Sequence, residues 1–380
     1  MKFRVERDVL AEAVTWAART LPTRPPMPVL AGLLVTADAS GLTLSSFDYE
    51  VSARVQAPAD VSEPGQALVS GRLLADITRS LPAQPVEVGT EDSKVVVTCG
   101  SSKFTLLTLP TEDYPALPEL PDLAGHLTGA EFAAAVSQVA VAAGRDETLP
   151  VLTGIRMEIE GENVVLAATD RYRLAVRELR WAPDRTDTSA VALVQARSLA
   201  DTARALADAD RVDLALATGG TGEGILGFAA SVAGGTRRST TRLLDGEFPK
   251  YRALLPADSS AVAAVDSAAL AEAVKRMSLV AERNTPVRLS FSDGEVLLEA
   301  GTGDEAQATE VVGCTYSGDP LTIAFNPTFL LDGLTALGEP FAEFSFTAAT
   351  KPAVLTGRQE QDGESDTSYR YLLMPVRLSG

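Results

Sequence analysis

Two hydrophobic rhythms alternate along the chain. Runs such as Gly41-Leu42-Thr43-Leu44-Ser45 and Arg211-Val212-Asp213-Leu214-Ala215-Leu216 place apolar side chains at every second position, the pattern of strands with one buried face. Other segments follow the helical period of about 100° per residue. In the stretch that opens near Arg72, Leu74, Ile77 and Leu81 gather on one face. Connections are mostly short and carry Gly, Asp and Asn, which favours antiparallel pairs over crossover units. The pattern predicts an α+β protein of antiparallel sheets with a few amphipathic helices.

The order of elements recurs. Leu10-Ala11-Glu12-Ala13-Val14 matches Phe132-Ala133-Ala134-Ala135-Val136 at an offset of 122 residues. Pro28-Val29-Leu30-Ala31-Gly32-Leu33 matches Pro150-Val151-Leu152-Thr153-Gly154-Ile155, and Phe47-Asp48-Tyr49 matches Thr169-Asp170-Arg171, at the same offset. A third copy opens at Leu270-Ala271-Glu272-Ala273-Val274 and reaches Thr285-Pro286-Val287-Arg288-Leu289. Later in each copy, Leu68-Val69-Ser70 precedes Gly71-Arg72-Leu73-Leu74, Leu193-Val194-Gln195 precedes Ala196-Arg197-Ser198-Leu199, and Thr322-Ile323-Ala324-Phe325 precedes Leu330-Leu331-Asp332. An offset held through a helix, a turn and two strands marks an internal repeat. Proline-rich or small-residue linkers fall at Pro115–Pro121 and Leu255–Ser260, a breaker signal. Three domains are expected, 1–121, 122–256 and 257–380, each of antiparallel sheets with two helices.

The helices carry a second message on their polar faces. Arg72 and Arg79 are seven apart and point away from Leu74, Ile77 and Leu81; Arg197 and Arg204 stand the same way against Leu199 and Leu206. In the third copy Thr328 and Thr335 replace that pair, while Lys275, Arg276 and Arg283 lie on its first helix. Arg19, Arg24 and Arg145 sit at the ends of the other first helices. A lone arginine on a helix is an ordinary solvated residue. The same two-arginine face in two copies reads instead as a basic strip that meets phosphates without reading bases.

Composition bounds the rest. With 46% hydrophobic and 22% charged residues among 380, the chain is neither disordered nor fibrous. The net charge of −18 argues at first sight against nucleic acid, since DNA-binding domains are usually basic. The recurring arginine faces make distribution the better guide. Two cysteines, Cys99 and Cys314, suit buried or free thiols in a reducing compartment. Met1-Lys2-Phe3-Arg4-Val5-Glu6-Arg7 has no apolar leader and no later run is long enough to span a bilayer, so a cytoplasmic protein with no membrane contact is expected. His126 is the only histidine, which leaves no His-based triad or metal cluster to build. Gly222-Glu223-Gly224-Ile225-Leu226-Gly227 fits a dinucleotide fingerprint but is followed by strand-like Phe228–Val232, so it reads as a hairpin loop. Asp208 and Asp210 sit on a polar turn with no metal spacing. No catalytic residue, metal or cofactor is expected. Tyr371-Leu372-Leu373 reads as a last strand, and Met374-Pro375-Val376 beyond it as a stretch that could line a groove.

Together these residues resemble the bacterial DNA polymerase III beta subunit, the DNA sliding clamp, in its actinobacterial form. The resemblance covers nearly the whole chain. It rests on Met1-Lys2-Phe3 with Val5-Glu6-Arg7, Arg24-Pro25 before Pro28-Val29-Leu30, Ala168-Thr169-Asp170 with Arg173-Leu174-Ala175, Phe248-Pro249 with Tyr251-Arg252, Phe325-Asn326, and Met374-Pro375-Val376-Arg377-Leu378. The family implies a head-to-tail homodimer in which six domains close a ring around duplex DNA, each chain supplying half. It implies a non-catalytic processivity subunit whose partners are duplex DNA, replicative and repair polymerases and the clamp loader. The resemblance puts DNA contacts at Arg24, Arg72 and Arg197, with Arg79, Arg145 and Arg204 behind them; the basic positions Lys275, Arg276 and Arg283 complete the set. It puts a partner-peptide pocket at Thr169, Tyr172, Arg173, Leu174, Pro249, Leu254, Asn326, Phe329, Pro352, Met374, Pro375, Val376 and Arg377. The chain departs from some members where Arg171-Tyr172 replaces Gly-His and Ala253 replaces a basic residue.

Two other classes compete with a clamp. One is a repeat-built scaffold that binds peptides but is no longer loaded on DNA; the survival of the arginine face in two copies speaks against it. The other is an acid-catalysed hydrolase, against which the lack of a convergent His, Cys or Gly-loop constellation counts.

Overall fold

A computed structural model describes residues 1–216, 224–232, 235–281, 285–301 and 306–377. Among them are six α-helices: α1 (Arg7–Ala17), α2 (Gly71–Ser80), α3 (Gly129–Ala140), α4 (Ala196–Ala205), α5 (Ser267–Met277) and α6 (Pro327–Leu337). Side-chain caps start three of them, α3, α5 and α6. Thr128 and Glu131 form a capping box at α3, Thr128 Oγ1 accepting from the Glu131 amide at 3.2 Å. The Asp266 carboxylate accepts from the Ala269 amide at 2.8 Å to start α5. On α2 the predicted apolar face is the buried one, with Leu74 at 5% and Ile77 at 7% exposure, and Arg72 and Arg79 face solvent.

The repeat is as regular in space as in sequence. The 3-10 turn Pro28–Ala31 and strands Gly32–Asp38 and Gly41–Phe47 recur as Pro150–Thr153, Gly154–Glu160 and Asn163–Thr169. Even the following turn is copied. Asp48 Oδ1 accepts from the Glu50 and Val51 amides at 3.0 and 2.7 Å, and Asp170 Oδ1 accepts from the Tyr172 and Arg173 amides at 3.0 Å each. The residue after each aspartate is left-handed, Tyr49 at φ 75° and Arg171 at φ 79°. An Asx turn holds both conformations without glycine.

The chain packs as two compact units, Met1–Ala133 with Trp181–Val194 and Ser198–Leu243, and Ala134–Arg180 with Gln195–Arg197 and Leu244–Gly380. This packing cuts through the middle copy of the repeat. The first unit contains a 14-stranded antiparallel sheet, in which Val51–Ala57 pairs with Gly235–Arg242. Val29, Leu30 and Leu68 form one of its core clusters, with Tyr114 packed against it. In the second unit the strands run in the order Gly154–Glu160, Asn163–Thr169, Arg173–Arg180, Ser365–Leu373, Ala353–Arg358, Phe341–Phe346, Ala261–Asp266, Ala308–Ser317, Glu295–Ala300, Val287–Ser292 and Leu321–Phe325. Its core includes Phe291, Phe344 and Phe346, with Phe291 ring centroids 5.8 and 5.0 Å from the other two. His126 lies on strand Leu123–Leu127 opposite Asp213. Cys99 and Cys314 are free and buried. Gly224 precedes strand Ile225–Val232, which contains Gly227, while Gly222 and Glu223 fall outside the described residues. No helix among the described residues is long and apolar enough to cross a membrane.

Candidate peptide pocket and basic helix faces

A cavity of about 320 Å³ opens in the second unit. Its walls come from the segment after α3 (Ala143 to Asp146, with Leu149 and Leu152), from the turn Asp170–Arg173, and from the first turns of α6. Local chemistry fixes each wall. The Asx turn sets the backbone of Arg171 and Tyr172. Asn326 caps α6 by accepting from the Thr328 and Phe329 amides at 2.9 and 3.2 Å, and Pro327 occupies the first helical position, where its missing N–H costs nothing. Phe329 is thereby aimed at Tyr172, with ring centroids 6.2 Å apart and planes 27° from parallel.

Arg173 is the post behind that aromatic pair. Its side chain is 5% exposed. Nε donates to Asp170 Oδ2 at 2.9 Å, Nη1 to Asp332 Oδ2 at 2.6 Å, and Nη1 also to the Tyr371 hydroxyl at 3.4 Å. The guanidinium lies 4.3 Å from the Phe329 ring centroid, a cation–π contact. Burial works against the charged form, but Tyr371, Asp332 and Asp170 outweigh it and raise the Arg173 pKa. Burial likewise raises that of Tyr371, whose hydroxyl donates to the Phe329 carbonyl at 2.8 Å. Gly333 makes room for the tyrosine ring: a β-carbon there would stand 2.5 Å from Tyr371 Cε1.

Of the expected peptide residues, Tyr172, Arg173 and Phe329 line this cavity. The others lie in the same unit without joining its described lining. Thr169 is buried and its hydroxyl donates to the Arg173 carbonyl at 2.7 Å; Leu174 is 1% exposed. The terminal segment is stitched to the pocket's supports, with the Met374 amide donating to the Tyr172 carbonyl at 2.9 Å and the Val376 amide to the Ala324 carbonyl at 2.8 Å. Met374 and Val376 are exposed, as is Arg377, while Pro375 is half-buried. Pro352 precedes Ala353, which pairs with Leu373, so it lies on the Met374 side of that pair. Pro249 and Leu254 are exposed around the 3-10 turn Tyr251–Leu254. Sequence reasoning missed Asp332, Leu149 and Leu152 as pocket residues. Leu152 and Asp332 stood inside the repeat motifs and Leu149 just before one, but nothing in the sequence ties Asp332 to Arg173.

The expected DNA-facing cations divide into two sets. Arg79 pairs with Asp76 at 2.9 Å, Arg204 with Asp201 at 3.2 Å, Lys275 with Glu272 at 2.6 Å, and Arg276 with Glu310. Arg24, Arg72, Arg145 and Arg197 are exposed and make no ion pair among the described residues. Arg72 Nη2 donates to the Pro22 carbonyl at 3.0 Å, which leaves its other donors to solvent. Arg145 lines the cavity just described. Arg283 lies outside the described residues.

A threefold sequence repeat built of antiparallel sheets, exposed arginines on repeated helices and an aromatic-floored pocket define a repeat-built binding protein of the clamp class. Family models for the N-terminal, central and C-terminal domains of the DNA polymerase III beta subunit match residues 1–118, 126–250 and 252–377. The chain belongs to that family. It is 61% identical to the beta sliding clamp of Streptomyces coelicolor over 380 residues, all of both chains. It is 54% identical to that of Micrococcus luteus over 315 residues, 83% of this chain and 99% of the relative. Among solved structures, the Pseudomonas aeruginosa sliding clamp bound to griselimycin superposes with a TM-score of 0.88 at 27% identity over the whole of both chains.

Proposed function

We propose that this protein is the ring-forming DNA sliding clamp of a bacterial replicase, a homodimer that encircles duplex DNA and tethers polymerases and the clamp loader without catalysing a reaction. The observation that carries the reading is the match of all three clamp domains across the chain. The corresponding domains are 1–121, 122–256 and 257–380, and the protein works in the cytoplasm. Arg24, Arg72 and Arg197 lead the contacts to DNA, because their guanidiniums have no carboxylate partner among the described residues; Arg79, Arg204, Lys275 and Arg276 stand behind them, each already engaged with an acid. Phosphate contacts of this kind need only be weak, since a closed ring holds DNA topologically.

Among the described residues, two open sheet edges support the head-to-tail dimer. Strand Ser102–Leu109 pairs with Lys94–Cys99 along its length but with Gly65–Ser70 only at Thr108 and Leu109, and Leu107 is 71% exposed on it. Strand Ala308–Ser317 has Glu295–Ala300 on one side up to Gly313, while its other side is paired only from Cys314. Val311 on it is 55% exposed. Pairing such an edge of one protomer with the other edge of its partner removes both liabilities at once and closes a heterologous ring. The pocket takes a short linear peptide through an apolar anchor on its aromatic floor.

Arg72→Ala with Arg197→Ala tests the DNA face: loading on DNA falls, with the deficit largest at low salt and shrinking as salt rises, while native mass still reports a dimer. A monomeric product would show that these arginines are structural instead. Deleting Met374–Gly380 should abolish binding of a polymerase peptide and leave the dimer. Unchanged peptide affinity would refute the part given to the terminal segment.

A further inference from the structure

Two seams join neighbouring copies of the repeat into continuous sheets, and they are fastened differently. At the first, Val51–Ala57 pairs with Gly235–Arg242; at the second, Arg173–Arg180 pairs with Ser365–Leu373. Positions 51, 53 and 55 correspond to 173, 175 and 177 through the 122-residue offset. Opposite them the first seam places Thr241, Ser239 and Arg237, and the second places Leu373, Tyr371 and Tyr369. Bulky buried side chains therefore close the second seam. The Tyr369 hydroxyl donates to the Gln138 carbonyl at 2.9 Å, and that of Tyr371 to the Phe329 carbonyl at 2.8 Å. Three ion pairs also cross it among the described residues, Arg173–Asp332, Arg177–Asp366 and Arg370–Glu178.

The first seam carries small hydroxyls instead. Ser52 Oγ lies 2.6 Å from Thr240 Oγ1, and Ser239 Oγ donates to the Ser52 carbonyl at 2.9 Å; these contacts stay within the two strands. Its one ion pair among the described residues is Arg237–Glu12, in which the Arg237 side chain is 14% exposed. Arg237 Nη1 donates to the Ala205 carbonyl at 3.4 Å, and its guanidinium lies 5.2 Å from the centroid of Trp16, a cation–π contact. Trp16 occupies the position that Gln138 holds in the next copy. A single side chain thus ties α1 of the first copy to the end of α4 in the second. Its surroundings work against it. Arg54 and Arg238 oppose each other across the same strands, a destabilising like-charge pair. Arg19 lies 6.0 Å from the Trp16 centroid; burial lowers its pKa, and the field of Arg237 lowers it further, with Arg204 adding to that and Asp201 opposing.

We infer that the first seam is a latched hinge: Arg237, held by Glu12 and Trp16, is the latch, and its release lets the first copy swing against the second. Without Glu12 a nearly buried guanidinium is left unpaired beside Arg19, which favours the open form. At the second seam the tyrosines and the three ion pairs back one another up, so no single loss frees it.

The test is native-state hydrogen exchange of the full chain, read by mass spectrometry on segments that cover the four seam strands. Glu12→Gln and Glu178→Gln are the matched variants; each removes one half-exposed carboxylate from one seam and spares the core. Glu12→Gln should speed exchange in Val51–Ala57 and Gly235–Arg242 about fivefold. Glu178→Gln should change exchange in Arg173–Arg180 and Ser365–Leu373 by less than about twofold. Arg237→Gln should loosen the same two strands as Glu12→Gln, and combining the two should add little, since both release one latch. Unchanged exchange at the first seam in Glu12→Gln would overturn the inference, as would equal acceleration at both seams, which reports general destabilisation. Additive effects of Glu12→Gln and Arg237→Gln would show that the two residues act separately, and the latch would fall.

Discussion

Arg173→Ala is the most informative single perturbation of the pocket. The wild-type guanidinium is 5% exposed, and its two carboxylate partners, Asp170 and Asp332, have side chains 15% and 35% exposed. Removing one member of a buried ion pair generally costs 3–5 kcal/mol, because the remaining charge stays desolvated. Here Asp170 keeps the Tyr172 and Arg173 amides as donors and Asp332 can rehydrate, so the loss falls at the lower end, roughly 3 kcal/mol. The variant also withdraws the cation from beneath Phe329, which frees the ring that floors the pocket. Urea unfolding followed by tryptophan and far-ultraviolet signals measures the stability of the full chain, and anisotropy measures the bound peptide. Arg173→Lys should recover part of the stability but little peptide affinity, since one ammonium cannot replace the fork that reaches both Asp170 and Asp332. A loss below about 1 kcal/mol in Arg173→Ala, with peptide affinity intact, would refute the view that this buried pair organises the pocket.

Three further outcomes follow from the packing and charges elsewhere in the protein. Gly333→Ala should cost about 1–3 kcal/mol, because its β-carbon meets the Tyr371 ring at 2.5 Å; a neutral result in urea unfolding would mean the helix yields freely. Arg238 stands directly opposite Arg54 across two paired strands, so Arg238→Glu should stabilise the first unit by roughly 0.2–1 kcal/mol, and a destabilised variant would show that the two side chains are held apart. Burial alone would raise the Glu158 pKa, yet hydrogen bonds from Arg156 and Arg252 bring it below the ordinary glutamate value. A depressed folded-state pKa gives stability that is complete above the unfolded value of about 4.3 and lost as pH falls through the folded one. Unfolding measured from pH 6 down to pH 3 should therefore show a shallower acid loss in Glu158→Gln than in wild type, and parallel curves would rule the pair out.

The fold was written plainly because its information is local and repeated. Period-2 strands, an apolar helix face at Leu74 and Ile77, and the Asp48 and Asp170 turns each recur at fixed spacing, so one copy checks another. The pocket was legible only in part. Tyr172, Arg173 and Phe329 were identified, but the ion pair that fixes them joins Arg173 to Asp332 across 159 residues, and no periodicity reports such a contact. The same limit applies to the basic faces. Asp76, Asp201 and Glu272 stand three residues before Arg79, Arg204 and Lys275 and could have warned that those cations are engaged. Glu310, which holds Arg276, lies on a distant strand and gave no warning. Arg145 was placed with DNA by the resemblance; the segment following α3 sets it in the lining of the cavity, a position that no sequence pattern announces.

Topological retention on DNA is the most direct test of the clamp account. The labelled protein is loaded by its loader onto nicked circular duplex, separated from free protein, and the circle is then cut once. The account predicts that the clamp stays on the intact circle and leaves the linear product by sliding off its ends. Equal loss from circular and linear DNA, or equal retention on both, would contradict it.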